Sequence, residues 1–218
     1  MSTSSSPASA PSNSPSASDP YVLANQAEYR LMSASSVHMQ GSVTSSAGIS
    51  VVNLDVVPDT GCVGSIDIMK LGTIQLIEIG TKIWIKLDKA YWQAKGFHDS
   101  SQLQSLTNKY IASDTSNQAA ANIAKACDLS NETSDLINPP NLKRQGKSTL
   151  DGEPVVAFLS TVSGSTYEVS DTTSLTLVRI QADSSSVREN ISFTSYGAAV
   201  SLTPPNAADT IDEAVPGL

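Results

Sequence analysis

The strongest constraint on the fold is the regular alternation of large apolar side chains in residues 64–88. An apolar residue at every second position is the pattern of a β-strand with one buried face. Gly72 and Gly80 interrupt the alternation where tight turns are expected. The segment therefore predicts an antiparallel meander of three strands. Its alternating residues are Ile66, Ile68, Ile74, Leu76, Ile83, Ile85 and Leu87.

The segment before the meander predicts one helix and two strands. Residues 20–35 place apolar side chains near helical spacing, with Asp19 as an N-cap and Pro20 in the first turn. Residues 37–43 alternate, and the apolar run at 49–57 is also extended in character. We therefore expect an amphipathic helix that leads into a pair of strands.

Residues 89–136 return to helical patterns. A short helix around Trp92 stops at Gly96, and a second helix carries Leu106. An alanine-rich third helix is predicted over residues 119–126, where strong helix formers dominate. The middle of the chain is therefore predicted to be a helical insert.

Strand patterns resume after the proline pair at residues 139–140, which ends the helical block. Residues 142–202 predict about five further strands, and the acidic residues after Pro205 predict a solvated end. The predicted order is helix, about five strands, helical block and about five more strands. This order predicts an α+β fold, in which one large curved antiparallel sheet carries an N-terminal helix and a central helical insert on one face.

The chain is predicted to be a single domain on a tether. Residues 1–20 contain nine Ser, four Pro and three Ala, and such a stretch has too little apolar surface to offset the entropy of ordering it. We therefore predict a disordered tether at 1–19, one domain at 20–213 and a tail at 214–218. No apolar run approaches the roughly 18 residues needed to span a bilayer, so the chain as given is expected to be soluble.

The charge of the chain argues against two kinds of attachment. The formal net charge is −8 and the sequence pI is about 4.6. Binding of nucleic acid needs clustered Lys and Arg that displace condensed counterions. Attachment to anionic lipid through a basic run is disfavoured for the same reason. We therefore expect no nucleic-acid partner.

The sequence offers no recognisable set of catalytic residues. Its only histidines are His38 and His98, and neither lies near a nucleophile motif. His38 falls in a predicted strand, where a solvent-facing side chain is expected. The segment GKSTL at residues 146–150 departs from a nucleophile elbow at Leu150 and from a phosphate loop at Asn141, because glycine is required at both places. We predict no enzymatic activity and no cofactor.

Metal-ligand patterns are missing as well. Asp128, Ser130 and Glu132 imitate part of a calcium loop, but Thr133 stands where the sharp turn needs glycine. A helix cap is the expected role of this segment. We predict no metal site.

Cys62 and Cys127 are the only cysteines of the chain. They lie too far apart for a zinc knuckle. An even number of cysteines in a chain of export-like composition favours a disulfide, which would stabilise the fold by roughly 4 kcal/mol on the chain-entropy estimate. Two buried free thiols are the alternative.

Several short motifs occur together in an order that resembles a known family. The chain resembles actinobacterial lipoproteins related to the mycobacterial LppX, LprA, LprF and LprG group, and the similarity covers roughly residues 36–213. The motifs are VHMQGSV at 37–43, GCVGS at 61–65, IWIK at 83–86, AYW at 90–92, NKYI at 108–111, LDGEPVV at 150–156, YG at 196–197 and PP at 204–205.

The resemblance implies a half-barrel of curved antiparallel sheet with helices over its concave face, similar also to the LolA and LolB carriers. It implies that lipids or lipoglycans are carried between sheet and helices. Members of the family are anchored by an acylated N-terminal cysteine, and Met1 stands at that place here. We therefore expect an extracytoplasmic, membrane-anchored lipoprotein whose anchor has been removed or replaced in the chain as given.

Strand alternation gives candidate residues for the ligand cavity, since the family's cavity positions are generic apolar ones. An alanine-rich insert helix leaves room for acyl chains, or it lets the helix sit closer to the sheet and closes the space. The alternative function is a cell-surface protein-interaction or sensor-accessory domain with a fully packed core. The candidate cavity residues are Ile66, Ile68, Ile74, Leu76, Ile83, Ile85, Leu106 and Ile123.

Overall fold

The computed structural model describes residues 20–46, 48–134, 136, 141–184 and 187–212. Helix α1 (Pro20–Met32) precedes the strands β1 (Val37–Ser45), β2 (Gly48–Val57), β3 (Gly61–Ile68), β4 (Gly72–Ile79) and β5 (Lys82–Leu87). The central insert contains α2 (Lys89–Ala94), α3 (Ser100–Thr107), β6 (Tyr110–Asp114), α4 (Gln118–Ala124), a 3₁₀ turn (Lys125–Cys127) and α5 (Leu129–Thr133). The last strands are β7 (Leu142–Leu150), β8 (Glu153–Ser160), β9 (Thr166–Ser170), β10 (Leu177–Asp183), β11 (Arg188–Thr194) and β12 (Thr210–Asp212).

All twelve strands belong to one curved, unclosed sheet. The strand order is β12-β6-β5-β4-β3-β2-β1-β11-β10-β9-β8-β7. Every neighbouring pair is antiparallel except β12 and β6, which are parallel. The predicted α+β fold with a curved antiparallel sheet is confirmed.

The register of the strands assembles one apolar face. Val52 pairs with Ile66, and Ile66 pairs with Ile74. Ile74 in turn pairs with Leu87, so that one row of large side chains crosses four strands. All of them are buried and face the helices, because side chains two residues apart lie on the same face of a strand. The helices contribute buried residues to the same core, including Ala24, Leu31, Trp92, Leu103, Ala120 and Leu129.

Side-chain caps begin the four helices of the insert. In each case an oxygen of the residue before the helix accepts a hydrogen bond from a backbone N–H of the first turn, which satisfies a donor that the helix itself leaves free. The cap predicted at Asp128 is confirmed, because its Oδ1 accepts from the Ser130 N–H at 3.0 Å. The capping residues are Asp88, Asp99, Asn117 and Asp128.

Two short strands differ from the sequence prediction. The insert is not purely helical, since Tyr110–Asp114 forms β6 against β5. The chain end is not simply solvated, since Thr210–Asp212 pairs with β6 and Ile211 packs against the core. β6 lies inside a segment of helical pattern and β12 has only three residues, so neither was recognised. Their hydrogen bonds depend on neighbouring strands from other parts of the chain.

Some predictions concern residues outside the described part of the chain. The tether at 1–19, the cap at Asp19, the proline pair at 139–140 and the tail at 214–218 are among them. In the described part, no helix combines the length and the apolar character required to span a membrane.

Candidate ligand-binding site

The eight predicted cavity residues lie together between the concave face and the helices. Leu76 pairs with Ile85 across β4 and β5, and Ile83 lies next to this pair on the same face. Ile68, Leu106 and Ile123 are partly buried against the same core. The eight side chains contribute to one continuous apolar layer, so their role as ligand contacts stays a prediction. Five of them are buried, namely Ile66, Ile74, Leu76, Ile83 and Ile85.

A pocket of about 410 Å³ lies where this apolar layer reaches the surface. Its wall on the sheet side is the β2–β3 turn, residues 57–61, together with Glu78. Its wall on the helix side is formed by Met32 at the end of α1, Ala124 at the end of α4, and residues 127–130. The pocket is therefore the gap between sheet and helices at one end of the half-barrel.

None of the eight predicted residues lines this pocket. The predicted set lies deeper in the interface, whereas the pocket is formed by turns and helix ends. Glu78 is the pocket residue that alternation identifies, because it continues the core-facing series of Ile74 and Leu76 along β4. Met32 has no sequence signal, and the signals at Cys127 and Asp128 indicated a disulfide and a helix cap. Only the packing of helices on the sheet brings these residues together as one pocket.

The pocket combines apolar walls with carboxylates. Asp59, Glu78 and Asp128 line it beside apolar side chains such as Met32 and Leu129. Burial raises the pKa of Glu78 to about 7, and the nearby Asp128 carboxylate adds to the shift. Glu78 can therefore donate or accept a hydrogen bond near neutral pH. An amphiphilic ligand would find both apolar contacts and polar groups here.

A disulfide between Cys62 and Cys127 ties the sheet to the insert beside this pocket. Cys62 pairs directly with Glu78 across β3 and β4, and a carboxylate oxygen of Glu78 lies within 4.8 Å of both sulfurs. Because both sulfurs are used in the disulfide, Glu78 is the one member of this group that retains a free ligand atom. The group therefore does not form a metal centre.

A second half-buried carboxyl pair lies under α5. Glu189 occupies a position of β11 on the same face as Ile191 and Phe193. Burial raises the pKa of Glu189 to about 8, and the hydrogen bond to Glu132 of α5 and its negative charge add to the shift. Glu189 Oε1 is buried and has no hydrogen-bond partner among the described residues. Carboxyl groups of the helix and the sheet therefore meet at this point, and the raised pKa favours the protonated form of Glu189 near neutral pH.

Two more polar atoms are buried in the interface without partners in the described part of the chain. They are Trp92 Nε1 on α2 and Ser113 Oγ on β6. The Trp92 ring packs edge-on against Phe97, with ring centroids 5.1 Å apart. Buried donors are normally paired, so these two atoms mark places where a ligand or water molecule would be stabilised.

The candidate catalytic residues do not assemble into a site in the described structure. His38 lies on the convex face, where its Nδ1 is 2.7 Å from Asp55 Oδ1. The solvent-facing position predicted for His38 is confirmed. Gly146 lies within β7, so the GKSTL segment forms an edge strand and neither a nucleophile elbow nor a phosphate loop. Neither His38 nor His98 lines the pocket beside the disulfide.

A curved, unclosed sheet with helices over its concave face defines a half-barrel class of protein, and solved structures of this class resemble the chain. LprF from Mycobacterium bovis matches with a TM-score of 0.57 and 15% identity, over 85% of this chain and 96% of that chain. The lipoprotein LppX from Mycobacterium tuberculosis matches with a TM-score of 0.54 and 18% identity, over 85% of this chain and 100% of that chain.

At these identities the likeness shows the fold, and it confirms the resemblance to the mycobacterial lipoproteins of the LppX and LprG group. No protein-family model matches the chain, and no curated protein matches it by sequence.

Proposed function

We propose that the protein is a non-catalytic, extracytoplasmic lipoprotein that binds or carries a lipid or another amphiphilic ligand between its sheet and its helices. The single observation that carries the proposal is the pocket beside the disulfide, which opens directly onto the sheet–helix interface. The fold shared with LprF and LppX supports the same reading. Membrane attachment through an N-terminal acyl anchor belongs to this proposal, and it rests on the family resemblance.

The ligand would be bound by transfer of acyl chains out of water. Each buried methylene group contributes about 0.8 kcal/mol, so a single acyl chain supplies a large driving force without covalent chemistry. The polar part of the ligand would remain at the mouth, where Asp59, Glu78 and Asp128 face the pocket. Among the lining residues that the structure describes there is no Lys or Arg, so a negatively charged head group would be disfavoured there.

The volume of the pocket limits the size of ligand that can enter without a change in the structure. A volume of about 410 Å³ lies at the low end of the roughly 300–1,000 Å³ range of small-molecule sites. A lipid with several long chains would therefore have to separate the insert from the sheet. α4 is suited to this movement, because its buried residues are the small side chains Ala120 and Ala124. The disulfide at Cys127 would hold the insert to the sheet just after α4. The eight predicted residues would then become the walls of the opened cavity.

The test is lipid recovery from the purified protein, by native mass spectrometry and solvent extraction, with a variant that closes the mouth. Thr60 is exposed on the β2–β3 turn and lines the pocket. We expect Thr60→Trp to lower the recovered ligand at least fivefold with little change in stability. Ser116→Trp is the matched control, because Ser116 is exposed on a turn but does not line the pocket.

Two outcomes would contradict this proposal. The first is the absence of extractable lipid from protein produced in an actinobacterial host. The second is equal ligand recovery from the Thr60→Trp and Ser116→Trp proteins. The packed-core interaction domain would then be the better account of the fold.

A further inference from the structure

Exposed apolar side chains are concentrated on the turns at one end of the sheet. Because neighbouring strands are antiparallel, the β1–β2, β3–β4, β8–β9 and β10–β11 turns all lie at the same end. We call the described residues of these turns, namely 46, 69–71, 161–165, 184 and 187, the hairpin rim. Its large apolar side chains are exposed by 53% at Met69, 37% at Leu71, 69% at Val162 and 36% at Val187.

The charge of the hairpin rim differs from that of the rest of the protein. The described rim residues include Lys70 and no Asp or Glu, although the whole chain has a net charge of −8. Lys89 begins α2 and Lys143 lies near the start of β7, so the fold brings both to the same end. Among the described residues, none of these three lysines makes an ion pair.

Three carboxylates next to the rim are engaged within the protein. Asp183 is 2.9 Å from Arg188, Asp67 accepts a hydrogen bond from Thr73 Oγ1 at 3.3 Å, and Asp88 accepts from the N–H groups of Thr73 and Tyr91. The turns at the opposite end are different, since Asp59, Asp151 and Asp171 lie on them. The rim end therefore presents lysines next to its exposed apolar side chains, and the opposite end, which contains the pocket, is the more acidic one.

The arrangement of the rim fits a flat surface. The rim turns connect strands from β4 to β8 in the sheet order, so they extend along an arc of about 30 Å at ~4.8 Å per strand. The apolar residues are separated by small polar residues such as Ser46, Ser163 and Ser184. A protein partner would need a contiguous complementary patch, whereas binding to a bilayer interface adds up the apolar area that each tip buries and the attraction of lysines to anionic lipid.

We propose that the hairpin rim docks the protein on an anionic lipid bilayer, with Met69, Leu71, Val162 and Val187 in the interfacial layer and the lysines against the head groups. The sequence has no basic run, but the fold collects lysines that are distant along the chain. The pocket beside the disulfide lies at the other end of the strands. With β3 eight residues long, the pocket would open about 25 Å from the bilayer surface at ~3.3 Å per residue.

The charge component is tested by flotation of the chain with phosphatidylcholine vesicles, with and without phosphatidylglycerol. We expect binding to the anionic vesicles that weakens as salt is raised. Removal of the three rim lysines should lower this binding roughly fivefold for each lysine. The test variant is Lys70→Gln, Lys89→Gln and Lys143→Gln, and the control with the same charge change at the other end is Lys82→Gln, Lys125→Gln and Lys147→Gln.

The apolar component is tested with the paired substitutions Met69→Ser and Leu71→Ser, which should lower vesicle binding at least tenfold. Tyr29→Ser is the control, because Tyr29 is 70% exposed and lies one turn before Met32 at the pocket end. Insertion is measured directly by brominated-lipid quenching of Leu71→Trp. Tyr29→Trp is the control, because the native Trp84 and Trp92 contribute the same background fluorescence to both variants. The fluorescence of Tyr29→Trp should be quenched much less.

Three results would overturn docking by the hairpin rim. They are no binding to vesicles of either composition, an equal loss of vesicle binding in the two triple lysine variants, and equal quenching of Leu71→Trp and Tyr29→Trp. Circular dichroism and thermal unfolding identify any variant that has lost the fold. If a multiple variant does not fold, the two single tryptophan variants still test the proposal. The lipid-recovery experiment with Thr60→Trp is independent, so the two proposals can fail separately.

Discussion

At the scale of single residues, Glu78 is a carboxylate in an otherwise apolar, core-facing series of its strand. The series of core-facing residues on β4 is Ile74, Leu76 and then Glu78, at the point where the apolar layer becomes the pocket wall. A carboxylate against a disulfide loses hydration without gaining a cation, so its charged form is disfavoured. Such a cost is tolerated more readily at a site than in a core that serves packing alone.

We expect Glu78 to make the protein less stable in mild alkali than in mild acid. Its pKa is raised from 4.5 to about 7 in the folded protein, so the folded state binds more protons than the unfolded chain between these values. The free energy of unfolding therefore falls as the pH rises through this window. Because the group is only half buried, we expect the fall to be about 1–2 kcal/mol.

Urea unfolding at pH 5 and pH 8 measures this effect. Glu78→Gln should remove the part of the difference that comes from Glu78 and leave the part that comes from Glu189, whereas Glu153→Gln, at an exposed position, should leave the difference unchanged. An equal pH dependence in wild type and Glu78→Gln would show that Glu78 is hydrated in the folded protein.

At the scale of elements, the helical insert is joined to the sheet at two kinds of contact. The buried residues of α2, α3 and α4 pack on the apolar face, and α5 adds the carboxyl pair of Glu132 and Glu189. Apolar packing is insensitive to pH, but the contact between a buried carboxyl group with a raised pKa and a second carboxyl group is not. The attachment of α5 is therefore the part of the insert that is expected to respond to pH.

We expect the carboxyl group of Glu189 to titrate with a midpoint near pH 8. Burial is the main cause of this shift, and Glu132 supplies the remainder. Glu132→Gln should lower the midpoint, because it removes the neighbouring negative charge, but the midpoint should stay above 4.5 because burial persists. Carboxyl ¹³C NMR titration measures both values. A midpoint that does not change in Glu132→Gln would show that the two side chains do not interact.

At the scale of the whole molecule, the sheet is left open and both edges are protected. One edge strand, β12, has only three residues, which gives a second sheet little to pair with. The other edge strand, β7, carries Lys143, Arg144 and Lys147, and its register with β8 shifts between Arg144 and Gly146. Short strands, edge charges and bulges all oppose edge-to-edge association. An open half-barrel can therefore keep a concave face available without aggregating.

We expect loss of the disulfide to destabilise the whole domain. Cys62 and Cys127 are 65 residues apart in the sequence, and removal of a crosslink of this span costs about 4 kcal/mol on the chain-entropy estimate. The double substitution Cys62→Ala and Cys127→Ala should lower the free energy of unfolding by about this amount in urea. Wild type in reductant should behave in the same way. Equal stability with and without the crosslink would show that the insert is held by packing alone.

The strand pattern could be predicted with good accuracy, and the site could not. The meander at residues 64–88 was recognisable because alternation over three strands is a local property of the chain. The cap at Asp128 was recognisable for the same reason, since it acts within its own helix turn. The pocket combines Met32, Val57 and Ala124, which belong to three elements that no local pattern connects.

The sequence by itself determined most of the strands, which face of these strands is apolar, and that the chain is acidic with two cysteines. Only the tertiary structure decided that β6 and β12 join the sheet, that Glu78 lies against the disulfide, and that lysines distant in sequence share one rim. The physical reason is that side-chain periodicity is set by the local backbone. The position of a pocket or a charged end depends instead on strand order and on helix packing, which involve residues far apart along the chain.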